Sequence, residues 1–85
     1  MIKREKLYKI GEVMYYSGYS RQTLHNYTLA GLIFEARRTD SGHRLYGDDV
    51  FDRLEKIKKM QHENCTLMEI KKALEAEDQN KAHNS

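Results

Sequence analysis

The sequence predicts a mainly α-helical fold carrying one small β-hairpin, in the order helix-turn-helix, hairpin, helix pair. Three stretches carry the prediction. A short helix from Ser20 to Ala30 has a cap signal at each end. An apolar and arginine-rich segment turns on Thr39-Asp40-Ser41-Gly42, as a hairpin does. Thr66-Leu67-Met68-Glu69 is a capping box and opens a last helix.

Composition bounds what such a chain does. With 85 residues, 39% apolar and 33% charged, it has room for one domain and one small core. No apolar run approaches the ~20 residues of a membrane span, and no signal-peptide pattern opens the chain. The single cysteine, Cys65, excludes an internal disulfide and a multi-thiolate metal site, and a cytoplasmic location is expected. The net charge of +2 is unevenly divided: residues 1–46 hold eight Lys/Arg against four acids, and residues 47–85 hold seven against nine. The basic excess suits a polyanionic partner and lies in the half with the capped helix.

Met1 to Lys6 is a basic arm, and Leu7-Tyr8-Lys9 is a short extended lead-in. A first helix starts near Ile10-Gly11-Glu12, with Ile10, Val13, Met14 and Ser17 as its inner stripe. Ser17-Gly18-Tyr19 is a turn in which Gly18 is free to take positive φ. Ser20 then caps the second helix, Tyr19 and Leu24 stand at staple positions, and Gly31 ends it. Leu24, Tyr27 and Thr28 share its inner side; Gln22, His25, Asn26 and Leu29 lie opposite, with Arg21 at the edge. Helix, glycine turn and capped helix form the sequence pattern of a helix-turn-helix, whose second helix reads the DNA major groove.

Leu32-Ile33-Phe34 is β-prone and His43-Arg44-Leu45-Tyr46 alternates, which predicts two short strands around the Gly42 loop. Arg37, Arg38, Ser41, His43 and Arg44 crowd its tip and supply phosphate donors. Gly47-Asp48-Asp49 opens a third helix with two acids at its positive end. Its stripe is Val50 or Phe51, Leu54, Ile57 and Met60, and Lys56, Lys58 and Lys59 form a solvated face. Asn64 is a left-handed stop. Leu67, Ile70, Ala73 and Leu74 are the inner side of the fourth helix, and the chain from Asp78 reads as a polar, frayed tail.

Taken together, Tyr8-Lys-Ile-Gly-Glu-Val13, Gly18-Tyr-Ser20, Thr23-Leu24, Tyr27, Gly31-Leu32, Arg38-Thr-Asp-Ser-Gly42, Arg44-Leu-Tyr46 and Thr66-Leu-Met-Glu-Ile70 resemble the DNA-binding domain of MerR-type transcriptional regulators. The resemblance runs from about Tyr8 to Leu74. It implies a winged helix-turn-helix over residues 1–77, with 78–85 as the tail. It also implies a second helix in the major groove and a wing on the backbone. Ser20, Thr23 and Tyr27 match the family's recognition-helix pattern, Tyr27 as a phosphate contact, and Arg38, Ser41, Gly42 and Arg44 match its wing. Members bind bent promoter DNA as dimers. They usually continue into a long dimerisation helix and a sensing domain, both of which this chain is expected to lack.

The expected double-stranded DNA contacts are thus Ser20, Arg21, Gln22, Thr23, His25, Asn26 and Tyr27 on the helix, and Arg37, Arg38, Ser41, Gly42, His43 and Arg44 on the wing. The family's Arg-Tyr-Tyr run stands here as His25-Asn26-Tyr27. His25 is a weaker donor than arginine until protonated, so DNA binding is expected to strengthen below neutral pH. Homodimeric or cooperative assembly on DNA is expected, and RNA polymerase or another regulator is a candidate partner. No nucleophile–base set, phosphate loop or carboxylate pair is evident, so neither catalysis nor a cofactor is expected. His62 and Cys65 have a metal-compatible separation, but packing is the expected role of Cys65. Two other readings of the same fold are an excisionase-like protein that bends DNA and a module that binds proteins.

Overall fold

The computed structural model describes residues 6–83, with side chains as far as Asn80. Met1–Glu5 of the expected arm and Asn84–Ser85 of the expected tail lie outside the described residues. The elements are β1 (Tyr8–Lys9), α1 (Ile10–Ser17), α2 (Arg21–Leu29), β2 (Arg37–Arg38), β3 (Arg44–Tyr46), α3 (Asp49–His62) and α4 (Leu67–His83). The expected order of helix-turn-helix, hairpin and helix pair is therefore observed.

Local chemistry sets the helix ends. Glu12 reaches back to accept from the Lys9 amide at 3.0 Å, closing the start of α1. Gly18, at φ 79°, donates its N–H to the Met14 carbonyl at 2.9 Å, in a left-handed conformation that few residues besides glycine and asparagine take readily. The Ser20 hydroxyl accepts from the Thr23 amide at 3.1 Å, the N-cap bond expected of it. Asn64 turns the chain at φ 63°. The capping box beyond it is complete, with Thr66 N–H donating to Glu69 at 2.9 Å and Glu69 N–H donating to Thr66 Oγ1 at 3.1 Å.

Inner faces of all four helices meet in one core. Val13 from α1, Leu24 and Tyr27 from α2, Val50, Leu54 and Ile57 from α3, and Ile70 and Leu74 from α4 are buried with Leu32, Ile33 and Tyr46. Ile10, Met14, Phe51, Met60 and Cys65 pack on its edge. Buried apolar side chains contribute roughly 1.5–3 kcal/mol each, so this cluster is the main source of stability.

Five details differ from the sequence expectation. The hairpin's first strand is Arg37–Arg38, not Leu32-Ile33-Phe34. The amides of Leu32 and Ile33 both turn back to the Tyr27 carbonyl, at 2.9 and 3.4 Å, so these two residues wrap under the end of α2 and both enter the core. The sheet has a third strand: β1 pairs antiparallel with β3 in the order β1-β3-β2, with Tyr8 opposite Tyr46 and Arg38 opposite Arg44. On α4, Ile70 and Leu74 are buried but Leu67 and Ala73 are exposed, since the helix touches the core along a narrow line. Finally, α4 continues through Asp78 to His83. Its far end is tied to α3, where Arg53 donates to both carboxylate oxygens of Asp78 at 2.8 and 3.1 Å. Lys56 pairs with Glu77 at 2.9 Å instead of lying on a free solvated face.

Candidate nucleic-acid interface

Helix α2 stands on the core through two hydroxyls. Thr28 Oγ1 donates to the Leu24 carbonyl at 2.8 Å and lies 2.9 Å from the hydroxyl of buried Tyr46. Because Thr28 has one proton and gives it to the backbone, Tyr46 is the donor of the second bond. Near the same helix, Gln61 of α3 donates to the Tyr27 hydroxyl at 2.7 Å. Tyr19 meets Tyr27 edge-on at 5.6 Å, and burial pushes the Tyr19 phenol pKa up, with Tyr27 adding to the effect. The inner side of α2 is therefore fixed, and its outer side is presented by a rigid support.

Beside it stands the wing. Thr39 N–H donates to the His43 carbonyl and Gly42 N–H donates back to Thr39, both at 2.9 Å, with Gly42 at φ 88°. Thr39, Ser41 and His43 also share side-chain bonds: Thr39 Oγ1 accepts from the His43 amide at 3.0 Å, and Ser41 Oγ lies 3.2 Å from His43 Nδ1. The loop is short and internally bonded, so its polar groups have defined directions.

An open cleft of about 1060 Å³ separates wing and helix. Of the expected contact residues it brings together Arg21, Gln22 and His25 from α2 with Ser41, Gly42, His43 and Arg44 from the wing. Asn26 is exposed on the same helix, bonded to Gln22 at 3.0 Å. Ser20 and Thr23 sit at the helix start and bond to each other, the Ser20 hydroxyl donating to Thr23 Oγ1 at 2.9 Å, which leaves the Thr23 proton free for an outside acceptor. Tyr27 is 7% exposed and belongs to the core. Its hydroxyl accepts from Gln61, which leaves the phenolic proton to donate elsewhere. Arg37 and Arg38 are exposed on β2, outside the cleft wall.

Three features of the site escaped the sequence reading. Lys9, Gly11 and Glu12 line the cleft from the start of α1, a juxtaposition made by strand pairing between β1 and β3. Glu35 sits among the wing arginines: its carboxylate accepts from Arg38 Nε at 2.9 and 3.1 Å and lies 3.2 Å from Arg44 Nε. That second contact is close enough for charge attraction but poorly aligned, so the buried Arg44 Nε forms no hydrogen bond. Spacing alone, Glu35 three residues before Arg38, was the available signal. Third, Arg44 Nη1 lies 3.1 Å from His25 Nδ1. A guanidinium only donates, so the contact requires a neutral imidazole with its proton on Nε2. Protonating His25 would add a cation for DNA and break the Arg44 bond, and these effects oppose each other.

Two helices about a glycine turn, a three-stranded sheet whose hairpin flanks the second helix, and a following helix pair define a winged helix-turn-helix. The chain belongs to the MerR family: residues 8–77 match the family described as MerR HTH family regulatory protein. It is 40% identical over 75 residues to the mercuric resistance operon regulatory protein of Bacillus cereus, covering 88% of this chain and 57% of that one. It is 36% identical over 72 residues to nodulation protein NolA of Bradyrhizobium elkanii, covering 85% of this chain and 33% of the relative. Among solved structures, the N-terminus of MtaN, the Bacillus subtilis multidrug transporter activator, superposes with a TM-score of 0.74 at 37% identity, over 79% of this chain and 63% of that one. The chain thus spans between about a third and somewhat over half of these curated relatives. No helix among the described residues is long and apolar enough to cross a membrane.

Proposed function

We propose that the chain is the DNA-reading unit of a MerR-type transcriptional regulator, acting in the cytoplasm on double-stranded promoter DNA. One observation carries this: the outer face of capped α2 and the bonded wing loop open onto one cleft lined by Lys9, Arg21, His25 and Arg44. In this reading α2 enters the major groove with Arg21, Gln22, His25 and Asn26 toward base edges, the side chains suited to that hydrogen-bond code. Arg37, Arg38, Arg44, Ser41, His43 and the Gly42 backbone grip phosphates, with Ser20, Thr23 and the Tyr27 hydroxyl at the helix start and side. Two copies bind two half-sites about one helical turn apart, as a dimer or by cooperative assembly, and act on RNA polymerase or another regulator.

Selection of duplexes from a random pool, followed by affinity against salt, tests the reading. Three wing arginines on phosphates predict a logarithmic slope near −2.7 for each copy, or roughly 40-fold weaker binding between 50 and 200 mM salt. Arg38→Ala or Arg44→Ala should each weaken binding and flatten that slope by about 0.9. No enriched sequence together with salt-independent affinity would overturn the proposal.

A further inference from the structure

Wing and recognition helix are joined by a chain of charged and polar groups that the sequence pattern does not announce. Arg38 donates to Glu35, Glu35 stands against Arg44, and Arg44 reaches His25 on α2. These groups come from β2, the segment before it, β3 and α2. Glu35 is the middle of the chain, with its side chain 29% exposed, while those of Arg44 and Arg38 are 26% and 53% exposed.

We propose that Glu35 is a positioning residue that sets the selectivity of DNA binding; this rests on the DNA-reading function proposed above. One carboxylate faces two guanidiniums and offsets part of their charge; its bonds to Arg38 Nε hold that plane, while the Arg44 plane is held by its contact with His25. Arg38 is engaged through Nε, which leaves both terminal nitrogens for a phosphate placed along that plane. Arg44 is engaged through Nη1 on His25 and leaves Nη2 as its outward donor. A phosphate at the geometry these planes define meets donors already aimed at it. A phosphate elsewhere must first pull an arginine away from Glu35. Random duplex therefore binds less well than the arginine count suggests, and the duplex that fits wing and helix together keeps its affinity.

The experiment compares the wild-type chain, Glu35→Gln, Arg38→Ala/Arg44→Ala, and the triple variant on two duplexes of roughly 24 base pairs, enough for two adjacent half-sites. One duplex is recovered by the wild type from a random pool; the other is unrelated in sequence. Glu35→Gln should bind the unrelated duplex about 3–10-fold tighter at low salt, with a salt slope steeper by about 0.9 for each arginine released. Affinity for the recovered duplex should stay level or fall, so the ratio between duplexes drops by at least about 3–10-fold. Without the two arginines, removing Glu35 should leave the ratio unchanged. Equal change on both duplexes, or an equal drop of the ratio in the arginine-free background, overturns the role of Glu35 while leaving DNA reading intact. A wild type that recovers no sequence and binds neither duplex overturns both. Thermal melting of each variant checks the fold, and Glu35→Ala provides a second variant if Glu35→Gln melts early.

Discussion

Asp78 lies one residue past the segment that matches the family, yet the structure makes it a member of the folded unit. Asp78→Ala is the perturbation that tests this. Arg53 is only 12% exposed at its side chain and gives Asp78 two bonds, at 2.8 and 3.1 Å, while its Nε bonds the Leu32 carbonyl and its guanidinium lies 5.0 Å from the Phe34 ring centre. Two charge-assisted bonds would contribute about 3–6 kcal/mol if fully shielded. Asp78 is 41% exposed at its side chain, so water replaces much of the loss and about 2 kcal/mol remains. Alanine is the better helix former by about 0.5 kcal/mol, which brings the net loss to about 1.5 kcal/mol. For a domain of this size that lowers Tm by roughly 6–12 °C. Urea denaturation and thermal melting of Asp78→Ala, Arg53→Met and the double variant measure it, with an expected coupling of about 1.5–2 kcal/mol. A chain ended at Glu77 should lose a similar amount. If Asp78→Ala melts at or above the wild type, as helix propensity alone would have it, the clamp contributes nothing and the folded unit ends before it.

Three further outcomes follow from single contacts. Gln61→Leu removes the donor to the Tyr27 hydroxyl and the acceptor lying 3.4 Å from Tyr19, and should cost about 1 kcal/mol in urea titration. Ser20→Ala should cost a similar ~1 kcal/mol through the lost cap, whereas Ser20→Asp should keep the cap and weaken DNA binding by placing an anion beside the phosphates. The backbone N–H of Thr66, helped by its side chain, holds the Glu69 carboxyl below its ordinary value of 4.5. A depressed carboxyl stabilises the fold fully above that ordinary value and loses its contribution as pH falls through the folded one. The stability gap between wild type and Glu69→Gln should therefore be largest near neutral pH and close in acid, as read by denaturation midpoints; a gap independent of pH would refute the capping account.

Local chemistry was legible, and long-range pairing was not. The Ser20 cap, the Gly18 and Asn64 turns and the Thr66–Glu69 box each depend on groups within a few residues, so residue type and spacing suffice to read them. Leu32-Ile33-Phe34 misled because an apolar run suits a strand and a core-filling turn equally well; the deciding bonds, to the Tyr27 carbonyl, depend on where the helix before it ends. Strand β1 has two residues, too few for any period to register, and exists because β3 is beside it. Arg53–Asp78 and Lys56–Glu77 join residues 25 and 21 apart along the chain, and charge spacing on one helix says nothing of such pairs. At the site, the polar side chains that α2 and the wing bring to the cleft were legible from residue type and helical spacing. Their mutual restraint through Glu35 and His25 was not.

That restraint bears on how a small domain keeps a polar helix face in order. The outer residues of α2 have few neighbours of their own, and side chains of this kind lose entropy when a ligand fixes them. Here the helix is held from beneath at Thr28 by Tyr46, which is fully buried and belongs to the wing's central strand. It is held again at Tyr27 by Gln61 of the third helix. The strand that supplies Tyr46 also supplies Arg44, two residues away, so Tyr46 and Arg44 share its direction. One strand thus anchors α2 from the core through Tyr46 and meets it in the cleft through Arg44 at His25. A change that shifts β3 must move both contacts, so the spacing of helix and wing is tied to a single strand.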